Sequence, residues 1–133
     1  MRSAVRAAVG DFCCVLAFVV IGRASHGQGE AVTGVARTFW PFLAGLAAGW
    51  LVSRAWRKPA ALIPSGIGAW VGTAAVGMAL RAVSGQGTAP AFILVALAFL
   101  GLFILGWRAL AHLAASPAGS PPRRSRPGRA DEG

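Results

Sequence analysis

An all-α integral membrane protein, with four transmembrane helices arranged as two tandem helical hairpins, is the fold that this 133-residue sequence predicts. Three observations carry the expectation. Hydrophobic residues make up 56% of the chain and charged ones only 13%, whereas a soluble domain is about a quarter charged. Four apolar runs each approach the ~20 residues that a helix needs to cross a bilayer. Basic residues gather at the ends of those runs and mostly on one side of them, the pattern by which membrane proteins mark their cytoplasmic face. The same composition argues against a disordered chain, a disulfide-stapled secreted module and a large multidomain enzyme.

The first span, residues 5–22, carries Arg6 at its start and beyond it is interrupted only by Asp11. Arg2, Arg6 and the stretch from Phe12 to Ile21 share the outline of a signal peptide, but Asp11 is out of place in one, and no clear small-x-small cleavage site follows Gly22. The second span, 38–56, places Pro41 in its first turn, where the missing N–H costs nothing, and leaves Arg37 and Arg54 to snorkel. The third, 62–83, carries Gly66, Gly68, Gly72 and Gly77. It is kept as a span because glycine is common where membrane helices approach closely. The fourth, 89–111, is the clearest: Ala89 to Trp107 is nineteen residues without a charge, with Pro90 suited to the first turn. These four make a transmembrane domain over residues 1–115. Residues 116–133, rich in Pro, Gly, Ser and Arg, can bury no core and are expected to form a disordered, basic cytoplasmic tail.

The net charge of +9 raises the alternative of a nucleic-acid partner, which needs its cations gathered on one water-exposed face. Four spans instead distribute them by side. Arg2, Arg6, Arg54, Arg57, Lys58, Arg108 and the four tail arginines fall together, ten of the thirteen basic residues, against Arg23, Arg37 and Arg81. The positive-inside rule then places both termini in the cytoplasm, and twelve Arg against one Lys with abundant Ala and Gly suggest a GC-rich bacterial genome, hence a bacterial plasma membrane. No nucleic acid is expected as a partner. The bilayer is, and the tail can attract anionic lipid at about 1 kcal/mol per arginine.

An internal repeat supports the hairpin organisation. Arg23-Ala precedes Gly27-Gln28-Gly29 by four residues, and Arg81-Ala precedes Gly85-Gln86-Gly87 by four. Each loop leads into a helix that ends in Gly-Trp, at Gly49-Trp50 and Gly106-Trp107. Two hairpins inserted the same way up would be related by a pseudo-two-fold axis along the membrane normal. Gly45 with Gly49 and Gly68 with Gly72 are spaced for close helix packing, within the bundle or across a homo-oligomer. Trp40, Trp50, Trp56 and Trp107 sit near span ends, as an aromatic belt requires.

Candidates for chemistry are few. Asp11 is the one acid inside a span and has to face the bundle interior, a partner or water. Arg54 or Arg108 could pair with it; as a proton or cation site it would be functional, as an ion pair structural. Arg23, His26, Glu30, Arg37, Arg81 and Gln86 collect at the outer face, where they could bind an anion or, through His26 and Glu30, act as a general acid–base pair. No catalytic residue is assigned. Cys13 and Cys14 are adjacent and have no His beside them, so no metal site is expected, and no cofactor fingerprint is present.

Several stretches together resemble a bacterial membrane family named domain of unknown function 3054. They are Arg23-Ala-Ser-His-Gly, Thr38-Phe-Trp-Pro-Phe-Leu-Ala-Gly, Gly49-Trp50, Leu80-Arg81 with Gly85-Gln86-Gly-Thr-Ala, and Phe99-Leu100 with Gly106-Trp107-Arg108. The resemblance covers roughly residues 5–113 and implies a small multi-span membrane protein, but carries over no activity. The expected function is therefore non-enzymatic, as a transporter-like unit or an accessory and scaffold protein. The alternative is a membrane enzyme acting on a lipid or cell-envelope precursor at the outer face.

Overall fold

The computed structural model describes residues 2–25 and 32–115, and among these the chain is all helical. Four helices follow one another: α1 (Arg2–Ser25), α2 (Val32–Ser53), α3 (Ile67–Val83) and α4 (Pro90–Ala115). With the turn Leu62–Gly66 that leads into α3, each is long and apolar enough to cross a membrane. The tail 116–133 and the loop containing His26 and Glu30 lie outside the described residues.

Packing is that of a lipid-dissolved bundle. Large apolar side chains such as Val52, Leu94, Leu102 and Leu110 point outward, whereas the buried polar residues are Asp11, Ser65, Thr73 and Arg108. The core is built from Val15, Phe18 and Val19 of α1, Phe42 and Leu46 of α2, Ala69 of α3, and Ala96, Leu100 and Ile104 of α4. Phe18 is its hub, edge-on to Phe42 at 5.2 Å and tilted against Phe99 at 5.5 Å. Ser53 and Thr73 donate their hydroxyls to the carbonyls of Gly49 and Ala69 in their own helices. Both hydroxyls are thereby satisfied without water.

The closest contact is between α2 and α3. A Cβ added at Gly45 would lie 2.7 Å from the Gly72 carbonyl oxygen, and one at Gly72 would lie 2.5 Å from the Gly49 Cα. Gly49 and Gly68 are equally closed, against the Gly68 carbonyl and the Ser53 side chain. The two Gly-x-x-x-Gly pairs thus face each other within one chain, and van der Waals contact between backbones replaces the hydrophobic drive that lipid does not supply.

The helix boundaries differ from the expected ones in ways that local chemistry explains. α2 begins six residues before position 38, so Pro41 lies well inside the helix and not in its first turn. The same helix stops at Ser53, three residues before position 56. Arg54 adopts the left-handed conformation (φ 51°). Its N–H donates to Leu51, and that of Ala55 to Trp50, a Schellman termination. The third span is not helical from 62, because Ile63 is extended (φ −123°, ψ 129°) and the Ile63–Pro64 bond is cis.

Closeness of α2 and α3 predicts that Gly72→Ala will destabilise the protein by about 1–3 kcal/mol through overpacking against backbone that cannot move aside. Gly106→Ala, where nothing lies within 4 Å, should be neutral or slightly stabilising. Thermal unfolding of both variants in mild detergent checks the contrast.

Candidate functional site

Two polar centres occupy opposite ends of the bundle. The first is built around Asp11, which is completely buried. Arg108 approaches it in the fork geometry that suits a guanidinium and a carboxylate: one terminal nitrogen donates to Oδ1 at 2.7 Å and the other to Oδ2 at 2.8 Å. Trp50 donates its indole N–H to Oδ2 at 2.8 Å, and Trp107 donates to Oδ1 at 2.9 Å. The carboxylate therefore accepts four hydrogen bonds, about as many as its lone pairs allow.

Arg108 commits four of its five N–H groups. Its Nε donates to the Pro59 carbonyl at 3.0 Å, and Nη1 also reaches the Ile104 carbonyl at 3.1 Å. The guanidinium lies 4.4 Å from the Trp107 ring centroid. Gly66 makes room for its stem, since a Cβ there would fall 2.9 Å from Arg108 Cδ. The turn between α2 and α3 is folded under the bundle to supply these contacts, and it is pinned by Ser65, whose hydroxyl donates to the Lys58 carbonyl at 2.6 Å.

Sequence reading offered Arg54 and Arg108 as partners for Asp11. The structure places Arg108 there and leaves Arg54 exposed at the helix terminus. What that reading missed was the role of the tryptophans. Trp50 and Trp107 were expected in an interfacial belt, but their polar edges turn inward to the acid, while Trp40 and Trp56 remain exposed. The repeated Gly-Trp pair was the available signal. The Gly residues do not share a role: Gly49 is pressed against α3, whereas nothing lies within 4 Å of a Cβ at Gly106.

The second centre lies about 18 Å along α1, twelve residues at 1.5 Å each. Arg23, Arg37, Arg81 and Gln86 line one cavity there, of about 770 Å³, whose remaining wall is largely apolar. Arg23 donates to the Thr38 hydroxyl at 3.1 Å, and its guanidinium lies over Gly34. Arg81 is braced from its own loop: Nη1 donates to Gln86 Oε1 at 2.8 Å, while Nη2 and Nε donate to the Gly87 carbonyl at 2.9 and 3.2 Å. It also lies 4.6 Å from the Phe92 ring centroid. His26 and Glu30, the remaining candidates at this end, fall outside the described residues. Among the described residues no three His, Cys, Asp or Glu side chains converge as metal ligands would.

Gln86 does a second thing that the sequence did not announce. Pro41 has no N–H, so the Arg37 carbonyl one turn earlier loses its helical donor. In lipid such a carbonyl must be satisfied from elsewhere. Gln86 Nε2 donates to it at 3.0 Å. One amide thus repairs α2 with its nitrogen and orients Arg81 with its oxygen.

Two measurements follow from these geometries. Arg108→Met alone should cost about 3–5 kcal/mol, because it strands a buried carboxylate, whereas Asp11→Leu with Arg108→Met should cost clearly less than the two single changes added. Gln86→Ala should cost about 1–3 kcal/mol in the natural background, and less when Pro41→Ala restores the helix N–H. Double-mutant cycles on unfolding free energy in detergent read both couplings.

Comparison with known proteins adds the family and nothing finer. No curated protein and no solved structure matches the chain. The family model described as "Protein of unknown function (DUF3054)" matches residues 8–111, most of the chain. By that match the chain belongs to this family of unknown function.

Proposed function

We propose that this chain is a non-enzymatic, multi-pass protein of the bacterial plasma membrane, with both termini cytoplasmic, that serves as an accessory or scaffold unit and not as a proton-coupled carrier. The observation that carries the reading is the saturation of Asp11. A carboxylate that shuttles protons needs a lone pair open to water or to a relay group, and needs to change partners as it loads and unloads. Asp11 is instead fixed by four hydrogen bonds from three side chains, one of them a bidentate guanidinium. Its chemistry is that of a structural tie between α1, α2 and α4.

Orientation is supported by the charges. Arg54, Arg57 and Lys58 follow α2 at the same end as Arg2 and Arg6, with four arginines in the tail beyond α4. Arg23, Arg37 and Arg81 lie at the other end, beside the cavity. The two hairpins are read as a duplication inserted twice in the same sense, and the approach of Trp50 and Trp107 to opposite oxygens of one carboxylate fits that origin.

Liposomes carrying the protein should show no dissipation of an imposed pH gradient above protein-free liposomes, read with an entrapped pH dye. Flux that disappears in Asp11→Asn would sink the accessory reading. A reporter fused after Gly133 should be active only in the cytoplasm; periplasmic activity would overturn the orientation.

A further inference from the structure

The cavity at the Arg23 end combines two properties that rarely share a wall. Its polar side carries the guanidinium groups of Arg23, Arg37 and Arg81. Among the described residues the only carboxylate is Asp11, which is about 18 Å away along α1 and already saturated. Arg81 is surrounded by neutral acceptors and aromatic rings, and no carboxylate among the described residues compensates its charge. Its other side is hydrocarbon: Phe18 and Val19 from α1, and Phe92 and Val95 from α4.

Arg81 is also prepared for an anion. A guanidinium has five N–H groups, and three are committed to Gln86 and Gly87. One N–H on each terminal nitrogen remains. The loop contacts and the Phe92 ring hold the fork in place before any ligand arrives, so little side-chain entropy is left to lose on binding. Arg37 is exposed at the same cavity, and its side chain makes no hydrogen bond or ion pair with the described residues.

The cavity continues to the lipid-facing surface. Ala91 and Val95 line it and are both exposed on α4. A hydrocarbon chain could therefore lie in it and extend into the bilayer, where filling the space over Phe18 and Phe92 removes apolar wall from water.

We propose that this cavity binds an amphipathic anion, with a phosphate or carboxylate head on Arg81 and Arg37 and a hydrocarbon chain laid over Phe18, Phe92 and Val95 between α1 and α4. A soluble anion alone would use the cations and leave the apolar wall wet; a neutral lipid would use the wall and leave the cations unanswered. The site does not depend on which face of the membrane it occupies, nor on the accessory role argued above.

The full-length protein in a non-ionic detergent, examined by native mass spectrometry, gives the test. Dodecyl phosphate should be retained at one per chain, and dodecylphosphocholine about tenfold less. Inorganic phosphate at the same concentration should displace neither. Arg37→Gln removes one charged contact and should weaken dodecyl phosphate about tenfold. Gly22→Leu separates binding from folding. Gly22 lines the cavity, a Cβ there meets nothing within 4 Å, and leucine is the better helix former. That variant should unfold at the same temperature as the natural protein or higher, and retain no dodecyl phosphate. Equal retention of the two head groups, displacement by inorganic phosphate, or undiminished binding in Gly22→Leu would each overturn the proposal.

Discussion

A single carboxylate organises this bundle. Asp11 lies in the first helix, and its ligands come from the second and the fourth, with the turn before the third closing over Arg108 from below. In lipid an unpaired charge is costly and a paired one is held hard, because no water competes for either partner. The acid is filled by four donors, and the guanidinium is held by the acid, the Pro59 and Ile104 carbonyls and an indole face. The positions of Trp50, Trp107 and the Lys58–Gly66 turn follow from that requirement. The glycine contact between α2 and α3 works by shape, and single hydrogen bonds such as Arg23 to Thr38 and Trp70 to the Leu97 carbonyl supplement packing elsewhere.

The two ends of the bundle treat charge in opposite ways. At the Asp11 end the buried cation is neutralised, enclosed and dry. At the Arg23 end three cations border an open cavity, and the acceptors near Arg81 are neutral. The same residue type is thus paired with a carboxylate at one end and, at Arg81, held by neutral acceptors at the other. Arg108 shows the difference within the sided count of basic residues: it falls at the basic end, but its charge is paired inside the protein with Asp11.

How much of this could be read from the sequence depends on the physics of each element. The four spans were legible because length and apolarity are additive properties of a run, and the nineteen uncharged residues ending at Trp107 leave little choice. Asp11 was conspicuous for the same reason, as the lone acid in such a run, and Arg108 was one of two cations at the right depth. The helix limits were not legible. Arg54 ends α2 by taking a left-handed conformation that favours glycine, and nothing in its identity signals that. Pro41 reads as a helix start in any sequence; its place inside α2 is tolerated only because Gln86, distant in sequence, donates to the carbonyl it abandons. The inward turn of Trp50 and Trp107 was hidden because an interfacial tryptophan and a buried donor have the same sequence. Of the outer-face candidates, Arg23, Arg37, Arg81 and Gln86 do share one cavity, while the part played by His26 and Glu30 lies beyond the described residues.

The separation of Asp11 from Arg108, 97 positions along the chain, has a consequence for how the protein is made. Synthesis delivers α1 with its acid long before any guanidinium exists to meet it, and Trp50, the first donor to appear, answers only one of the two oxygens. Until α4 emerges, Asp11 lacks both the guanidinium and the second indole that fill its oxygens in the finished bundle. A chain truncated before Arg108 holds the acid without the guanidinium that meets it in the complete bundle.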